Sequence, residues 1–343
     1  MSEPEVLFEV RGKAGLITLN RPHALNALTA GMASDIHSQL IAWQDDDRVL
    51  HVVITAAGDK AFCAGGDIRQ LYEWGLAKDT AFIDFYRTEY LLNIFIKRYP
   101  KPYIAIMDGI TMGGGVGISV HGSQRVATER LTFAMPETGI GLFPDVGGTY
   151  FLPRCPGRLG MFLGLTGHRL KAADSIFAGV ATHFVPAEDC STLIDRLALA
   201  DNVDECLSQF AQSPGDAPLA EHIFDIDRHF AVDSVEDITA SLQADGSDWA
   251  LKMVATMAAK SPTSQKITHE QLTRGAGIDF EACMRVEFRI VNRIFIGHDF
   301  FEGIRAVVID KDQTPMWQPA TLDEVLEDAV ACYFESLDEE LPV

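Results

Sequence analysis

The feature that most restricts the fold of this chain is an alternation of short β-branched runs with amphipathic stretches, which continues to about residue 187. Amphipathic periodicity predicts helices at Thr29–Asp45, with Thr29 as the cap, and at Thr80–Arg98. Such an alternation is typical of an α/β fold rather than of an all-α or all-β one. Strands are predicted at Val6–Val10, Leu16–Leu19, Val49–Thr55 and Tyr103–Met107.

The pattern changes after Pro186, where strand-like runs become rare. The last of the long amphipathic segments carries an apolar stripe at helical spacing, formed by Phe280, Met284, Phe288, Val291 and Phe295. We therefore expect an α/β core over residues 1–187 and a mainly helical region over residues 188–343 that packs on it. The predicted helices are 188–212, 219–230, 235–245, 247–259, 262–274, 280–296 and 322–337.

The charge balance excludes several classes of partner. The chain has 28 Lys and Arg and 49 Asp and Glu, which gives a net charge of −21. A field of that sign repels nucleic acid and anionic lipid. Many acidic residues lie in 321–343, where we predict a solvated tail helix. No apolar run approaches the roughly 20 residues of a membrane-spanning helix. We expect a cytoplasmic protein, or a mitochondrial matrix protein if a presequence has been removed.

The cysteines and histidines show no metal-binding spacing. Six cysteines are scattered without a C-x-x-C pair, and the ten histidines include no H-E-x-x-H motif. Reduced thiols and a protein that needs no metal are the expectation.

Three glycine-bearing segments are candidates for ligand binding: Phe62–Asp67, Ile110–Gly117 and Met135–Gly148. Glycine lets a backbone approach a ligand closely, and a turn that enters a helix directs free N–H groups outward. Two such turns together can form an oxyanion hole, and each alone can also be a tight turn between packed elements. Neither the Walker A motif nor G-x-G-x-x-G occurs in them, so both nucleotide fingerprints fail.

Two partial motif matches in these segments are weaker. Asp145–Thr149 is similar to a phosphate-binding turn of sugar kinases, but Pro144 before it opposes the central strand that such a turn follows. Gly117–His121 approaches the nucleophile-elbow pattern around Ser119, but His121 occupies a position that requires a small residue. We expect Ser119 to face its own helix backbone.

Buried carboxylates are more informative than hydroxyl groups in this chain. Glu89 lies on the apolar stripe of its predicted helix, where an unpaired charge is costly unless it has a function. An ion pair with Arg87 or Arg98, or exposure at the rim, is the structural alternative. The stripe comprises Phe82, Phe85, Glu89, Leu92 and Ile96.

Two further carboxylates lie on one loop rich in Pro and Gly. Glu137 and Asp145 are eight residues apart there, so a rigid loop can hold both near one substrate. Mutual repulsion raises one pKa toward the range of acid–base catalysis. For either residue alone, a capping or turn role is the alternative.

Together these segments resemble the crotonase superfamily, also called the enoyl-CoA hydratase/isomerase family. The resemblance rests on Asn20–Leu28, Phe62–Asp67 and Gly113–Gly115. It implies a ββα spiral core with perpendicular sheets and a helical C-terminal region. It also implies an acyl-CoA substrate whose carbonyl oxygen lies between the backbone N–H groups of Ala64 and Gly114.

Two positions at which this chain differs from the hydratases indicate which branch of the family it resembles. Hydratases carry one catalytic glutamate where this chain has Gly117, and their second glutamate matches Glu137; where they have Pro-Gly, this chain has Pro144-Asp145. The pattern resembles the branch that hydrolyses 3-hydroxyisobutyryl-CoA in valine degradation. Further matching segments are Ile110–Gly122, Arg125–Glu129, Thr166–Lys171, Ala181–Phe184, Ser261–Ser264, Gly297–Phe300 and Glu302–Gln313.

This resemblance implies hydrolysis of a short-chain 3-hydroxyacyl-CoA thioester to a free acid and CoA. Glu137 and Asp145 are the implied catalytic pair, and Glu89, Gly114, Glu137 and Asp145 the implied substrate contacts. No cofactor is implied, since CoA is part of the substrate. An enoyl-CoA hydratase or isomerase and a non-catalytic acyl-CoA-binding protein are the alternative functions.

We expect an acyl-CoA as the partner, with no nucleic acid and no membrane, and a homo-oligomeric state stays open. Because CoA is anionic, basic residues must be concentrated locally, and the candidates are Arg21, Lys97, Arg98 and Lys101.

Overall fold

The computed structural model of the protein describes residues 3–343 and has an α/β architecture. In that range no helix is long and apolar enough to cross a membrane. The strands are β1 (Val6–Arg11), β2 (Ala14–Leu19), β3 (His51–Ala56), β4 (Ala61–Cys63), β5 (Tyr103–Met107), β6 (Ile110–Met112), β7 (Gln124–Ala127), β8 (Thr132–Ala134) and β9 (His183–Phe184).

Helices occupy most of the remaining chain. They are α1 (Ala30–Gln44), α2 (Ile68–Ala77), α3 (Ala81–Lys97), α4 (Gly114–Gly117), α5 (Gly148–Phe151), α6 (Leu159–Thr166), α7 (Ala172–Phe177), α8 (Cys190–Leu197), α9 (Val203–Phe210), α10 (Ile223–His229), α11 (Val235–Asp245), α12 (Asp248–Ala258), α13 (Pro262–Gly275), α14 (Phe280–Ile294), α15 (His298–Ile304) and α16 (Glu327–Cys332).

The strands form two sheets. The larger has the order β1-β2-β3-β5-β7-β9, and the smaller has the order β4-β6-β8. Among these nine strands, β1 and β2 pair antiparallel, as a hairpin, and every other pair is parallel. Parallel neighbours need a crossover connection between them, which is why α1 separates β2 from β3. The predicted α/β class is confirmed.

The described residues form two compact units, neither of them continuous in sequence. One unit contains the chain up to Asp67 together with Thr88–Ala134 and Arg169–Ala220, and it holds both sheets. The other contains Ile68–Arg87, Met135–His168 and Glu221–Val343. The domain boundary near residue 187 stays a prediction.

The core of the sheet-containing unit lies between the larger sheet and helices α8 and α9. Leu16, Val53 and Ile104 of neighbouring strands belong to one buried cluster with Leu193 and Leu207 of the two helices. Successive strand side chains alternate between the two faces, so each strand supplies every second residue to this cluster. Helices that follow residue 187 therefore complete the core of the β-rich unit.

Most predicted elements are present with shifted ends. Thr29 caps α1 as expected, because its Oγ1 accepts the Met32 N–H at 3.2 Å. The predicted tail helix 322–337 is wrong in length, because only Glu327–Cys332 is α-helical. Most tail carboxylates are exposed, as predicted, and two of them also form ion pairs with other helices: Glu327 contacts Lys266 Nζ at 2.8 Å, and Glu340 contacts Arg289 Nε at 2.8 Å.

Candidate active site

Two glycine turns of the sheet-containing unit lie at one edge of the smaller sheet. The first, Ala64–Asp67, follows β4, and the second begins at Gly113 after β6. These strands are parallel neighbours, with Ala61 opposite Ile110. Since parallel strands end at the same edge of a sheet, the two turns converge, as the sequence predicted.

The Glu89 carboxylate, rather than the other turn, occupies the space that a side chain at Gly114 would need. A Cβ there would lie 2.5 Å from Glu89 Oε1 and 3.4 Å from Gly66 N. The residue with a positive φ is Gly113, at 46°, and not Gly114. Glycine is required at 114 for close approach and at 113 for backbone conformation.

The predicted first donor of the oxyanion hole, the Ala64 N–H, already has a hydrogen-bond partner. The Ala64 N–H donates to the Leu25 carbonyl at 3.1 Å, so it is already used. Gly65 has φ +123°, and the next amide nitrogen, that of Gly66, lies 3.4 Å from the position that a Cβ on Gly114 would occupy. We therefore propose Gly66, rather than Ala64, as the first donor of the oxyanion hole. Sequence spacing identified the Ala64–Asp67 turn, but the direction of each N–H group in that turn depends on its backbone angles.

Glu89 lies beside this pair of turns. It is 2% exposed, on α3, and its Oε1 occupies the space that a Gly114 side chain would need. The apolar stripe predicted this burial. A carboxylate next to a convergent pair of N–H groups can accept a hydrogen bond from a hydroxyl on a molecule held there.

Two other candidate nucleophiles near the turns are unsuited to that role. Burial, and then the charge of Glu89, raises the pKa of the Cys63 thiol to about 12, which leaves it protonated. Ser119 donates to the Gly115 carbonyl at 2.7 Å, as the sequence predicted for a residue that faces its own backbone.

The second unit carries the predicted carboxylate pair. Glu137 begins a 3-10 turn, Glu137–Ile140, and is 4% exposed. Its Oε2 is buried without a hydrogen-bond partner among residues 3–343. Burial, followed by the negative charge of Asp145, raises the pKa of Glu137 well above its ordinary value. Such a carboxyl group can exchange a proton near neutral pH.

Lys260 opposes this effect from just beyond the end of α12. A Cβ on Gly139 would lie 3.2 Å from Lys260 Nζ, so the ammonium group covers the turn that follows Glu137. Its positive charge lowers the pKa of Glu137 but does not cancel the effect of burial. Lys260 was not identified from the sequence, where it is one lysine at a helix end.

Asp145 lies in a turn with an uncommon backbone conformation. It is 4% exposed, and its carbonyl accepts the Gly148 N–H at 2.8 Å across the turn. The two central residues, Val146 and Gly147, have φ 49° and φ 88°. Left-handed angles cost a β-branched residue such as Val146 about 1–3 kcal/mol, so neighbouring structure must hold this turn.

One carboxylate near this turn was missed in the sequence. Glu287, on α14, is fully buried at 0% exposure. It lies three residues after Met284 and four before Val291 of the apolar stripe of that helix, the same kind of position that identified Glu89. Extending the stripe argument from α3 to α14 would have found it.

The predicted CoA-binding cations are partly used within the protein. Arg21 Nη1 donates to the Ala27 carbonyl at 2.7 Å, and its Nη2 contacts Asp67 Oδ2 at 3.1 Å. Lys101 Nζ donates to the carbonyls of Trp43 and Asp46. These side chains connect loops, so a phosphate-binding role for Arg21 or Lys101 would require them to exchange partners. The role of Lys97 and Arg98 stays a prediction.

Several proteins are similar to this chain over nearly its whole length. A protein of Danio rerio named 3-hydroxyisobutyryl-CoA hydrolase, mitochondrial, is 52% identical over 345 residues, covering 98% of this chain and 90% of that protein. The Homo sapiens protein of the same name is 49% identical over 343 residues, covering 97% and 89%.

Solved structures and a family profile agree with this similarity. The structure of a carnitinyl-CoA dehydratase from Mycobacterium thermoresistibile superimposes with a TM-score of 0.95 at 44% identity, covering 99% of both chains. That of an enoyl-CoA hydratase from Rhodobacter sphaeroides 2.4.1 gives 0.93 at 40% identity, covering 99% of this chain and 100% of the other. The profile of the enoyl-CoA hydratase/isomerase family matches residues 14–334. The chain therefore belongs to the enoyl-CoA hydratase/isomerase family.

Proposed function

We propose that this protein hydrolyses short-chain 3-hydroxyacyl-CoA thioesters, with 3-hydroxyisobutyryl-CoA as its substrate. The products are 3-hydroxyisobutyrate and CoA, a step of valine degradation. The observation that carries this proposal is the similarity at about half of all positions, over 97–98% of the chain, to proteins named for this activity. Their names also include the word mitochondrial, which supports a mitochondrial rather than a cytoplasmic location.

The glycine turns supply the electrostatic part of the reaction. As a nucleophile adds to the thioester carbon, the carbonyl oxygen gains negative charge, and the N–H groups of Gly66 and Gly114 donate hydrogen bonds to it. Each donor of such a hole contributes roughly 2.7–4 kcal/mol of transition-state stabilisation. The carbon–sulfur bond then breaks, and the departing thiolate takes a proton to become the CoA thiol.

Glu137 supplies the nucleophile in one of two ways. Its carboxylate attacks the carbon and forms an acyl anhydride that water then cleaves, or it removes a proton from a water molecule that attacks directly. Both routes require the ionised form of Glu137, and its buried Oε2 is the atom that would react. Asp145 orients the water or binds the substrate hydroxyl, which explains two carboxylates on one loop.

Replacement of either loop carboxylate is expected to remove most of the activity. Glu137→Gln and Asp145→Asn should each lower kcat by at least ~10²-fold, which is the lower end of what a positioned acid or base contributes. Thermal unfolding should show a folded protein, since an amide fits the same space. Release of free CoA thiol from 3-hydroxyisobutyryl-CoA measures the loss. Unchanged turnover in Glu137→Gln would reduce Glu137 to a turn residue.

The rate should depend on pH through the raised pKa of Glu137. Because the reactive form is ionised, kcat/KM is expected to rise with pH and to level off well above the ordinary pKa of a glutamic acid. Lys260→Met removes the opposing positive charge, so the rise should move to higher pH. Lys252→Met, at an exposed position within α12, is the control and should not move it. An identical profile in Lys260→Met and wild type would contradict this assignment.

Hydration of an enoyl-CoA is the second candidate function. Two solved structures 44% and 40% identical to this chain are named as a dehydratase and a hydratase. Against it, the position of one hydratase glutamate is Gly117, a buried residue of α4 with no side chain. Incubation with crotonyl-CoA distinguishes the two: a hydratase consumes the double bond and keeps the thioester, whereas a hydrolase acting on 3-hydroxyisobutyryl-CoA releases thiol.

A further inference from the structure

The turn around Asp145 needs an external support. Val146 is 1% exposed and left-handed, a conformation that is rare for β-branched residues, and one backbone bond closes the turn. Gln271 of α13 holds the residue before the turn, donating from Nε2 to the Pro144 carbonyl at 2.6 Å. That bond lies outside the turn and does not involve the N–H groups of Gly147 and Thr149.

Glu287 satisfies them. Its Oε2 accepts the Gly147 N–H at 2.8 Å, and its Oε1 accepts the Thr149 N–H at 2.9 Å. Both oxygens of one fully buried side chain are thus committed to the backbone that directly follows Asp145. Because both oxygens are committed to these donors, any influence of Glu287 on the reaction passes through the turn.

We propose that Glu287 is a positioning residue for thioester hydrolysis, which holds the Asp145–Thr149 turn in its left-handed form and so directs the Asp145 side chain. The inference rests on the proposed function. A misplacement of about 1 Å in a reacting group can lower a rate ~10²-fold, which makes such a support matter for turnover.

The electrostatics of Glu287 are consistent with this role. Burial and the charge of Asp145 raise the pKa of Glu287 to about 8, whereas the bonds from Gly147 and Thr149 favour its ionised form. Both oxygens can accept these hydrogen bonds only when the carboxyl group is ionised. The kinetic test below is therefore made at a pH above that pKa.

The experiment is a double-mutant cycle between Glu287 and Val146. Glu287→Gln retains one acceptor and places an NH2 group against the second N–H donor. We expect kcat to fall about 10- to 100-fold and KM to change less than about threefold, because the turn is misplaced while the glycine turns of the other unit are untouched. In Val146→Gly, the glycine at position 146 adopts a positive φ without strain. The factor by which Glu287→Gln lowers kcat should therefore be at least about threefold smaller in that background than in the wild-type chain.

Two further measurements separate positioning from general stability. Hydrogen exchange should show faster exchange of the Gly147 and Thr149 amides in Glu287→Gln. Asp174→Asn is the control: Asp174 is also buried and accepts a backbone N–H, from Leu219 at 2.9 Å. That variant should lower the thermal midpoint and leave kcat unchanged.

The outcomes are distinct. A wild-type kcat in Glu287→Gln overturns the positioning role and leaves the hydrolase function intact. The same conclusion follows if Glu287→Gln lowers kcat by an equal factor in the wild-type chain and in the Val146→Gly background. A wild-type chain that releases no CoA from any acyl-CoA overturns the proposed function and this role in it.

Discussion

The protein is expected to hydrolyse 3-hydroxyisobutyryl-CoA about 10⁴-fold more efficiently, in kcat/KM, than isobutyryl-CoA. The physical reason is the number of buried carboxylates. Glu89, Glu137 and Asp145 are each at most 4% exposed, and thioester hydrolysis alone does not require three of them. One that accepts a hydrogen bond from the substrate hydroxyl would be left buried without that bond when the hydroxyl is missing.

A third substrate distinguishes the contribution of the hydroxyl group to kcat/KM from that of the methyl group. 3-Hydroxypropionyl-CoA keeps the hydroxyl and lacks a methyl, and such a loss in an apolar pocket costs only about 10- to 200-fold. Steady-state CoA release from the three thioesters gives the ratios. Measuring these ratios again in Glu89→Gln shows whether Glu89, which lies beside Gly114, accepts a hydrogen bond from the substrate hydroxyl. If isobutyryl-CoA were hydrolysed equally well, the protein would be a general short-chain acyl-CoA thioesterase.

Gly114→Val is expected to lower kcat/KM by about 10³-fold, the upper end of what loss of a single oxyanion donor costs. A Cβ at 114 would lie 2.5 Å from Glu89 Oε1, so the new side chain displaces Glu89 as well as blocking approach to the Gly114 N–H. CoA release measures the activity, and circular dichroism and thermal unfolding check that the variant is folded.

Gly114→Ala provides a smaller change at the same position and should also be impaired. Gly277→Val is the matched control, because a Cβ at Gly277 meets no atom within 4 Å and that residue is exposed. Its activity should equal that of wild type. A fully active Gly114→Val protein would remove the basis for the oxyanion hole.

Local patterns were sufficient wherever a feature depends on residues close in sequence. Helix α1 begins after its predicted cap at Thr29, and the strand at Tyr103–Met107 has the predicted bounds. The apolar stripe of α3 correctly predicted that Glu89 is buried. Each of these features follows from the period of a helix or strand, which is a property of neighbouring residues.

Tertiary structure decided what depends on distant partners or on backbone direction. The donor that we propose in the first glycine turn is Gly66 rather than Ala64, because Leu25 accepts the Ala64 N–H and Gly65 has a positive φ. The cations Arg21 and Lys101 are occupied by loops that no spacing rule brings to them. Residues adjacent in sequence do not reveal such partners.

Glu287 shows the difference most clearly. Its position on the apolar stripe of α14 is visible in the sequence, and burial of a charge there already required a partner. Its partner is the backbone of a turn 140 residues earlier, in a conformation that Val146 does not favour by itself. The sequence by itself determined the α/β class, most of the helices and the carboxylate pair on one loop. Only the tertiary structure decided that Leu25 accepts the Ala64 N–H and that Glu287 binds the turn after Asp145, because hydrogen bonds are set by where folded segments meet.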